Sequence, residues 1–222
     1  MTDPTYCAIA VVMDRSGSMS SIQSEAEGAL RTFVTEQKEQ PGRATLTLAR
    51  FDDRYDITHD MEWLGEVDPA SIKLEPRGMT ALLDAIGRTI TFLGKRLSDL
   101  PEETRPGKVL FCIVTDGHEN ASREWTRDKV FEAIKRQTDD YQWEFLFLAA
   151  TQDAIGVAHS YGIHTNNADY FVADAVGTQS AGQSMSSYAT AYRGGASGQS
   201  LRLENEDERV KGRKDAEADE EA

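Results

Sequence analysis

The sequence predicts an α/β fold: a mostly parallel central sheet with one antiparallel edge strand and helices on both faces. Three observations carry that reading. Buried-type apolar runs at Tyr6–Met13, "KVLFCIVTD" (108–116) and "WEFLFLAA" (143–150) are too uniformly apolar for a sheet with one wet face. Segments of helical periodicity separate them, which is the pattern of parallel strands joined by crossover helices. A single alternating pair, "ATLTLARF" (44–51) and "YDITHDM" (55–61), is joined only by "DDR" and reads as a hairpin, so one edge strand should run antiparallel.

From Met19 to about Lys38, Ile22, Ala26, Ala29, Leu30, Phe33 and Val34 recur at helical spacing, and Pro41-Gly42 ends the helix. "DPASIKLEPRG" (68–78) reads as a loop or short helix. "TALLDAIGRTITFLGKRL" (80–97) sets Leu82, Leu83, Ile86, Ile90, Leu93 and Leu97 on one face of a helix. "TRDKVFEAIKRQ" (126–137) and "DAIGVAHSYG" (153–162) read as helices, "DYFVA" (169–173) as a last short strand, and 177–193 as a final helix. One domain is expected over 1–193. From Gly194 a Gly/Ser linker leads into "LRLENEDERVKGRKDAEADEEA", which has almost no apolar residues and is expected to be disordered over 194–222.

The 222 residues are 39% apolar and 28% charged, an ordinary globular composition, with a formal net charge of -14. Such a surface repels phosphate backbones, so nucleic acid is not expected as a partner. Cys7 and Cys112 each sit inside an apolar run and read as small buried hydrophobes of a reducing compartment. The opening "MTDPTYCAIAVVMD" has no basic region, and its apolar stretch is too short to span a bilayer. A cytoplasmic protein with no membrane partner is therefore expected.

Chemistry-bearing residues concentrate after the buried strands. Asp14 ends the first and leads into "RSGS"; Asp116 ends another and leads into "GHEN". In open parallel sheets, ligands gather at the carboxyl ends of strands where the strand order reverses. A third segment, "RGMTAL" (77–82), places Thr80 at a helix start after a glycine. Two carboxylates and three hydroxyls, with no soft ligand, are the donor set for Mg²⁺ or Mn²⁺. In an extended loop Ser16 and Ser18 would point the same way. Singly, each hydroxyl also reads as a helix cap: Ser18 or Ser20 for the first helix, Thr80 for the second. Asp116 in "TDG" also suits a turn. Arg15, His118, Glu119 and Asn120 flank the two carboxylates and form a candidate rim for a partner; as exposed loop residues without a role they have an equally simple reading.

The set Asp14-x-Ser16-x-Ser18, Thr80 in "GMTALLDAI" and Asp116 in "VTDG" resembles the metal-ion-dependent adhesion site of von Willebrand factor A-type domains. The resemblance covers about residues 5–175, fills all five positions, and is nearer the compact intracellular bacterial or phage members than secreted adhesion modules. It implies a Rossmann-like domain and a divalent cation, Mg²⁺ or Mn²⁺, held by Asp14, Ser16, Ser18, Thr80 and Asp116, some of them through water. An open coordination position would then take an Asp or Glu of a partner protein, which family analogy places among ATPase or stress-response assemblies. Two other classes compete. A Mg²⁺-dependent phosphohydrolase on a similar sheet would use a second Asp where Ser16 stands, and no P-loop, G-x-G-x-x-G or G-x-S-x-G motif is present. A phage- or virion-type structural scaffold would need no metal at all. The expectation is therefore a binding module, not an enzyme.

Overall fold

The computed structural model describes residues 1–197. In chain order the elements are β1 (Asp3–Asp14), a 3-10 turn (Gly17–Ser21), α1 (Gln23–Lys38), β2 (Arg43–Phe51), β3 (Tyr55–Trp63), α2 (Leu82–Ser98), β4 (Pro106–Thr115), α3 (Arg127–Tyr141), β5 (Glu144–Ala149), α4 (Ala154–Ser160), β6 (Ala168–Tyr170) and α5 (Ala175–Arg193). The expected disorder of the charged segment beyond Ser197 lies outside the described residues.

One six-stranded sheet has the order β3-β2-β1-β4-β5-β6. Only β3 runs antiparallel, paired to β2 at the edge; every other neighbouring pair is parallel. Strand β1 sits between β2 and β4, so its side chains are buried on both faces. Cys7, Ile9, Val11 and Met13 point into one core with α1 and α5. Ala8, Ala10 and Val12 point into the other with α2, α3 and α4. This two-sided burial is why the run reads as continuously apolar rather than alternating. Ala8 and Ala10 share this core with Phe111 and Ile86.

The helix boundaries follow local chemistry. Helix α2 has the strongest apolar face, with Leu82, Ala85, Ile86, Ile90, Leu93 and Leu97 buried, as its spacing predicts. Helix α3 starts at Thr126, whose side chain accepts from Lys129 N–H, and ends at Gln142 in the left-handed region. Helix α5 is tied down at its carboxyl end: Lys108 Nζ donates to the carbonyls of Tyr192 (3.1 Å) and Arg193 (2.8 Å), where a cation meets the negative end of the helix dipole. Among the described residues, no helix is long and apolar enough to cross a membrane. Cys7 and Cys112 are buried free thiols, and burial pushes the Cys7 thiol up to about 12, which makes it chemically inert at neutral pH.

The connection out of β1 and the connection out of β4 leave on opposite sides of the sheet: β2 lies to one side of β1, while β5 lies beyond β4. The carboxyl ends of β1 and β4 therefore form the point at which strand order reverses, a ready-made crevice in an α/β sheet.

Candidate functional site at the β1–β4 crevice

Asp14 is the last residue of β1 and is fully buried. Its Oδ1 accepts from the backbone N–H of Ser16 at 2.6 Å and its Oδ2 from the Thr115 hydroxyl at 2.6 Å. The next turn brings Ser16 Oγ to 3.1 Å from Ser18 Oγ, and Ser18 Oγ donates to Asp116 Oδ1 at 2.8 Å. The two serines meet for a different reason than the extended loop predicts. Ser16 is extended, but Gly17–Ser21 winds into a 3-10 turn, and it is this turn that brings Ser18 back toward Asp116.

Thr80 enters from the segment before α2. Its backbone N–H donates to Asn120 Oδ1 at 2.9 Å, and its carbonyl accepts from Asn120 N–H at 3.0 Å. This two-point clasp seats Thr80 against the loop after β4. The side-chain position that Gly117 lacks would lie 3.1 Å from Thr80 Oγ1 and 3.7 Å from Ser18 Oγ. So the five predicted residues do converge, with Gly117 leaving open the space between two of the hydroxyls.

None of these hydroxyls caps a helix. Ser16 precedes the 3-10 turn without a side-chain cap bond, Ile22 and Ala81 stand at the starts of α1 and α2, and neither makes one. The helix-cap alternative for Ser18 and Thr80 is thereby set aside. Thr80 is 3% exposed, and its hydroxyl has no hydrogen-bond partner among the described residues. Burial pushes the Asp14 carboxyl up to about 6, against the lowering effect of its bonds to Thr115 and Ser16, and the nearby Asp116 charge adds to the rise. Burial also raises Asp116, against its bond from Ser18. Burial thus disfavours the charged form of both carboxylates, and three hydroxyls stand beside them. Among the described residues there is no group of three or more His, Cys, Asp or Glu side chains placed to hold a metal ion. Any cation here would be met by two carboxylates and by hydroxyl oxygens, which suits a hard ion.

The rim candidates fall out differently. Arg15 is 3% exposed. Its guanidinium lies 3.2 Å from Asp52 and 2.5 Å from Asp56, so it is a buried strut between β1 and the β2–β3 hairpin, not a free cation at the rim. Glu119 turns inward as well. Its Oε1 accepts from the N–H groups of Ala121 and Ser122, and its Oε2 from Leu83 N–H and the Ser122 hydroxyl. It thus caps the start of α2 from across the crevice. Asn120 spends its carbonyl oxygen on Thr80. His118 and Asn120 are exposed, and His118 has no such anchoring bond among the described residues.

Two carboxylates that the sequence does not flag complete the frame. Asp84, in the first turn of α2, accepts from the N–H groups of Arg123 (2.9 Å), Glu124 (2.9 Å) and Trp125 (2.8 Å). Burial opposes its ionisation, but these three donors prevail and hold its carboxyl below the usual range. Asp52 accepts from Arg54 N–H and Arg77 Nε (2.5 and 2.7 Å). Its acid position at the start of a helix is the one signal that marks Asp84 in the sequence; Asp52 sits in the "DDR" turn with no signal beyond turn formation.

No protein-family model matches the sequence, and no curated protein matches it. Solved structures do match. A von Willebrand factor type A structure from Catenulispora acidiphila superposes with a TM-score of 0.60 at 12% identity, covering 86% of this chain and 43% of that one. The fold is of the von Willebrand factor type A kind. Proximal thread matrix protein 1 from the mussel byssus matches this type A fold at a TM-score of 0.61 and 12% identity, over 86% of this chain and 48% of that one. The PilB minor pilin from Streptococcus sanguinis matches at 0.59 and 10%, over 86% and 62%. The chain spans between 43% and 62% of the length of these three neighbours.

Proposed function

We propose that the protein is a metal-dependent protein-binding module. Asp14, Ser16, Ser18, Thr80 and Asp116 hold one Mg²⁺ or Mn²⁺, some through water, and an open coordination position takes an Asp or Glu side chain of a partner protein. The observation that carries this reading is the release of three hydroxyls from helix capping and their convergence on two carboxylates whose charge is uncompensated. When bound, the ion supplies a Lewis-acidic position that two carboxylates only just neutralise. The chain's own groups do the rest. Thr115 and the Ser16 N–H fix both oxygens of Asp14, and the Asn120 clasp fixes Thr80.

A binding role is favoured over hydrolysis. The position two residues after Asp14, where a phosphohydrolase of the Asp-x-Asp kind carries its second acid, holds Ser16. Both Asp14 oxygens are already hydrogen-bonded within the crevice. Buried free thiols support a reducing, cytoplasmic setting. The test is capture of a partner from lysate on the full chain, followed by washing with EDTA and re-addition of Mg²⁺. Release by EDTA, restoration by Mg²⁺ and loss in Asp116→Ala are expected. Capture indifferent to both EDTA and Asp116→Ala would make the domain a scaffold. Metal-dependent turnover of a phosphate ester, lost in the same variant, would make it an enzyme.

A further inference from the structure

A cavity of about 320 Å³ is lined by sequence neighbours of the residues at the oxygen cluster. Met79 and Ala81, the two neighbours of Thr80 in sequence, both line it, as does Ala121, which follows Asn120. Its far walls are the β2–β3 turn, with Asp53 and Arg54, and the end of the loop into α3, with Arg123 and Glu124. The charged groups there are unequally committed. Arg88 is bound by Glu124 through two bonds, at 3.0 and 2.6 Å. Asp84 is saturated by three backbone N–H groups. Arg54 and Arg123 are exposed and have no ion-pair partner among the described residues. Asp53 is the one opposing carboxylate left, and it packs against the Gly78 turn, where a side chain would meet Asp53 Oδ1 at 2.2 Å.

Two uncommitted guanidiniums in one cleft stand out on a chain with 38 acidic and 24 basic residues. Guanidinium groups match carboxylates through paired N–H donors. We propose that this cleft is a second carboxylate site, and that the partner is an acidic peptide segment with carboxylates on neighbouring or alternate residues. One carboxylate meets the metal position while the next meets Arg54 and Arg123. Along an extended chain the Cα atoms of neighbouring and alternate residues lie roughly 4 and 7 Å apart, and the cavity is lined by the two sequence neighbours of Thr80. The exposed Met79, at the shared edge, gives the backbone between the two carboxylates an apolar surface to lie on. The inference rests on the carboxylate-capture reading above and adds to it the number and spacing of acids that the surface selects.

The test uses the full chain with Mg²⁺ and a fluorescein-labelled peptide, Asp-Ala-Glu-Ala-Asp-Glu-Glu-Ala, which is the sequence of residues 215–222. A second form of the full chain, carrying Asp215→Asn, Glu217→Gln, Asp219→Asn, Glu220→Gln and Glu221→Gln, removes competition from its own acidic segment. In that background, Arg54→Gln with Arg123→Gln should weaken binding at least tenfold and flatten its salt dependence. Neither side chain has an ion pair to lose, so the melting temperature should not move. Metal-dependent binding that is unchanged by the two arginine substitutions would overturn the second site and leave carboxylate capture standing. Binding that survives EDTA but falls in the arginine variant would support the cleft and overturn capture at the metal position. No binding at all with the metal bound, or tighter binding of inorganic phosphate than of peptide, would overturn the acidic-segment partner.

Discussion

Ser18 Oγ donates to Asp116 Oδ1 across 2.8 Å, joining the loop after β1 to the loop after β4 over 98 residues of sequence. This hydrogen bond ties the two loops together at the crevice. A cation between them would take over that work. A ligand that binds only the native state stabilises it by RT ln(1 + [L]/Kd), about 1.4 kcal/mol at tenfold excess over Kd. For a domain of this size that is a rise of about 3–6 °C in melting temperature. Differential scanning fluorimetry should show it with Mg²⁺ or Mn²⁺ and lose it in Asp116→Ala. A wild-type curve that ignores millimolar metal would remove the metal from the site.

Asn120 and Thr80 form the second joint. Asn120→Ala would leave the Thr80 N–H without its acceptor in a buried position, at about 1–3 kcal/mol, and would free Thr80 to drift. Metal affinity by titration calorimetry should fall even though net charge is unchanged. Asn120→Asp keeps the acceptor and should retain the melting temperature that the alanine variant loses. Equal behaviour of the two variants would mean that the clasp does not position Thr80.

The pH dependence of the metal-free protein should carry the signature of Asp14. Burial raises its carboxyl to about 6 in the fold, above the value of an unfolded chain, so the folded state binds the proton more tightly. Its contribution is therefore fully present below the unfolded value and is lost as pH rises through about 6. The loss is of the order of 3 kcal/mol at most. Urea unfolding in EDTA between pH 5 and pH 7.5 should show wild-type stability falling relative to Asp14→Asn as pH rises. Parallel profiles would show that Asp14 ionises freely in the crevice.

Two glycines in helices should respond to the same substitution with opposite signs. At Gly87, in α2, an added methyl would lie 1.9 Å from the Trp125 ring, while at Gly28, in α1, nothing lies within 4 Å. Gly87→Ala should cost about 1–3 kcal/mol through overpacking and lower the melting temperature. Gly28→Ala should gain up to about 1 kcal/mol from helix propensity. A stable Gly87→Ala protein would mean that Trp125 is free to leave the α2 surface, and with it the loop that carries Glu119 and Asn120.

Much of the fold is legible in the sequence, because a strand buried on both faces and a strongly amphipathic helix each write their period into neighbouring residues. The β1, β4 and β5 runs and the α2 stripe are of this kind, and the "DDR" turn marks the antiparallel hairpin. The five oxygen-bearing positions are also legible, since each follows a strand or a glycine turn. What escapes is the identity of partners far away along the chain. Arg15 looks like an exposed loop cation, but its partners Asp52 and Asp56 belong to a hairpin whose contact with β1 only the assembled sheet creates. Glu119 and Asp84 satisfy backbone N–H groups of each other's segments, and a backbone donor has no signature in side-chain order. The 3-10 turn at Gly17–Ser21 is missed because serine and glycine suit an extended loop equally well.

The strand order has a consequence for synthesis. β1 is translated first yet needs β4 as its second neighbour, and the residue that completes the oxygen cluster, Asp116, comes only after β4. A nascent chain that ends before it can pair β1 with β2 and close the hairpin, but it leaves one edge of β1 open and its Asp14 without the Thr115 hydroxyl. Such an emerging half-sheet is a template for mispairing, and long-range parallel pairing is the slow part of its maturation. Cation binding would accordingly be a late event, reporting on the ribosome's product only once the central strand has gained both its neighbours.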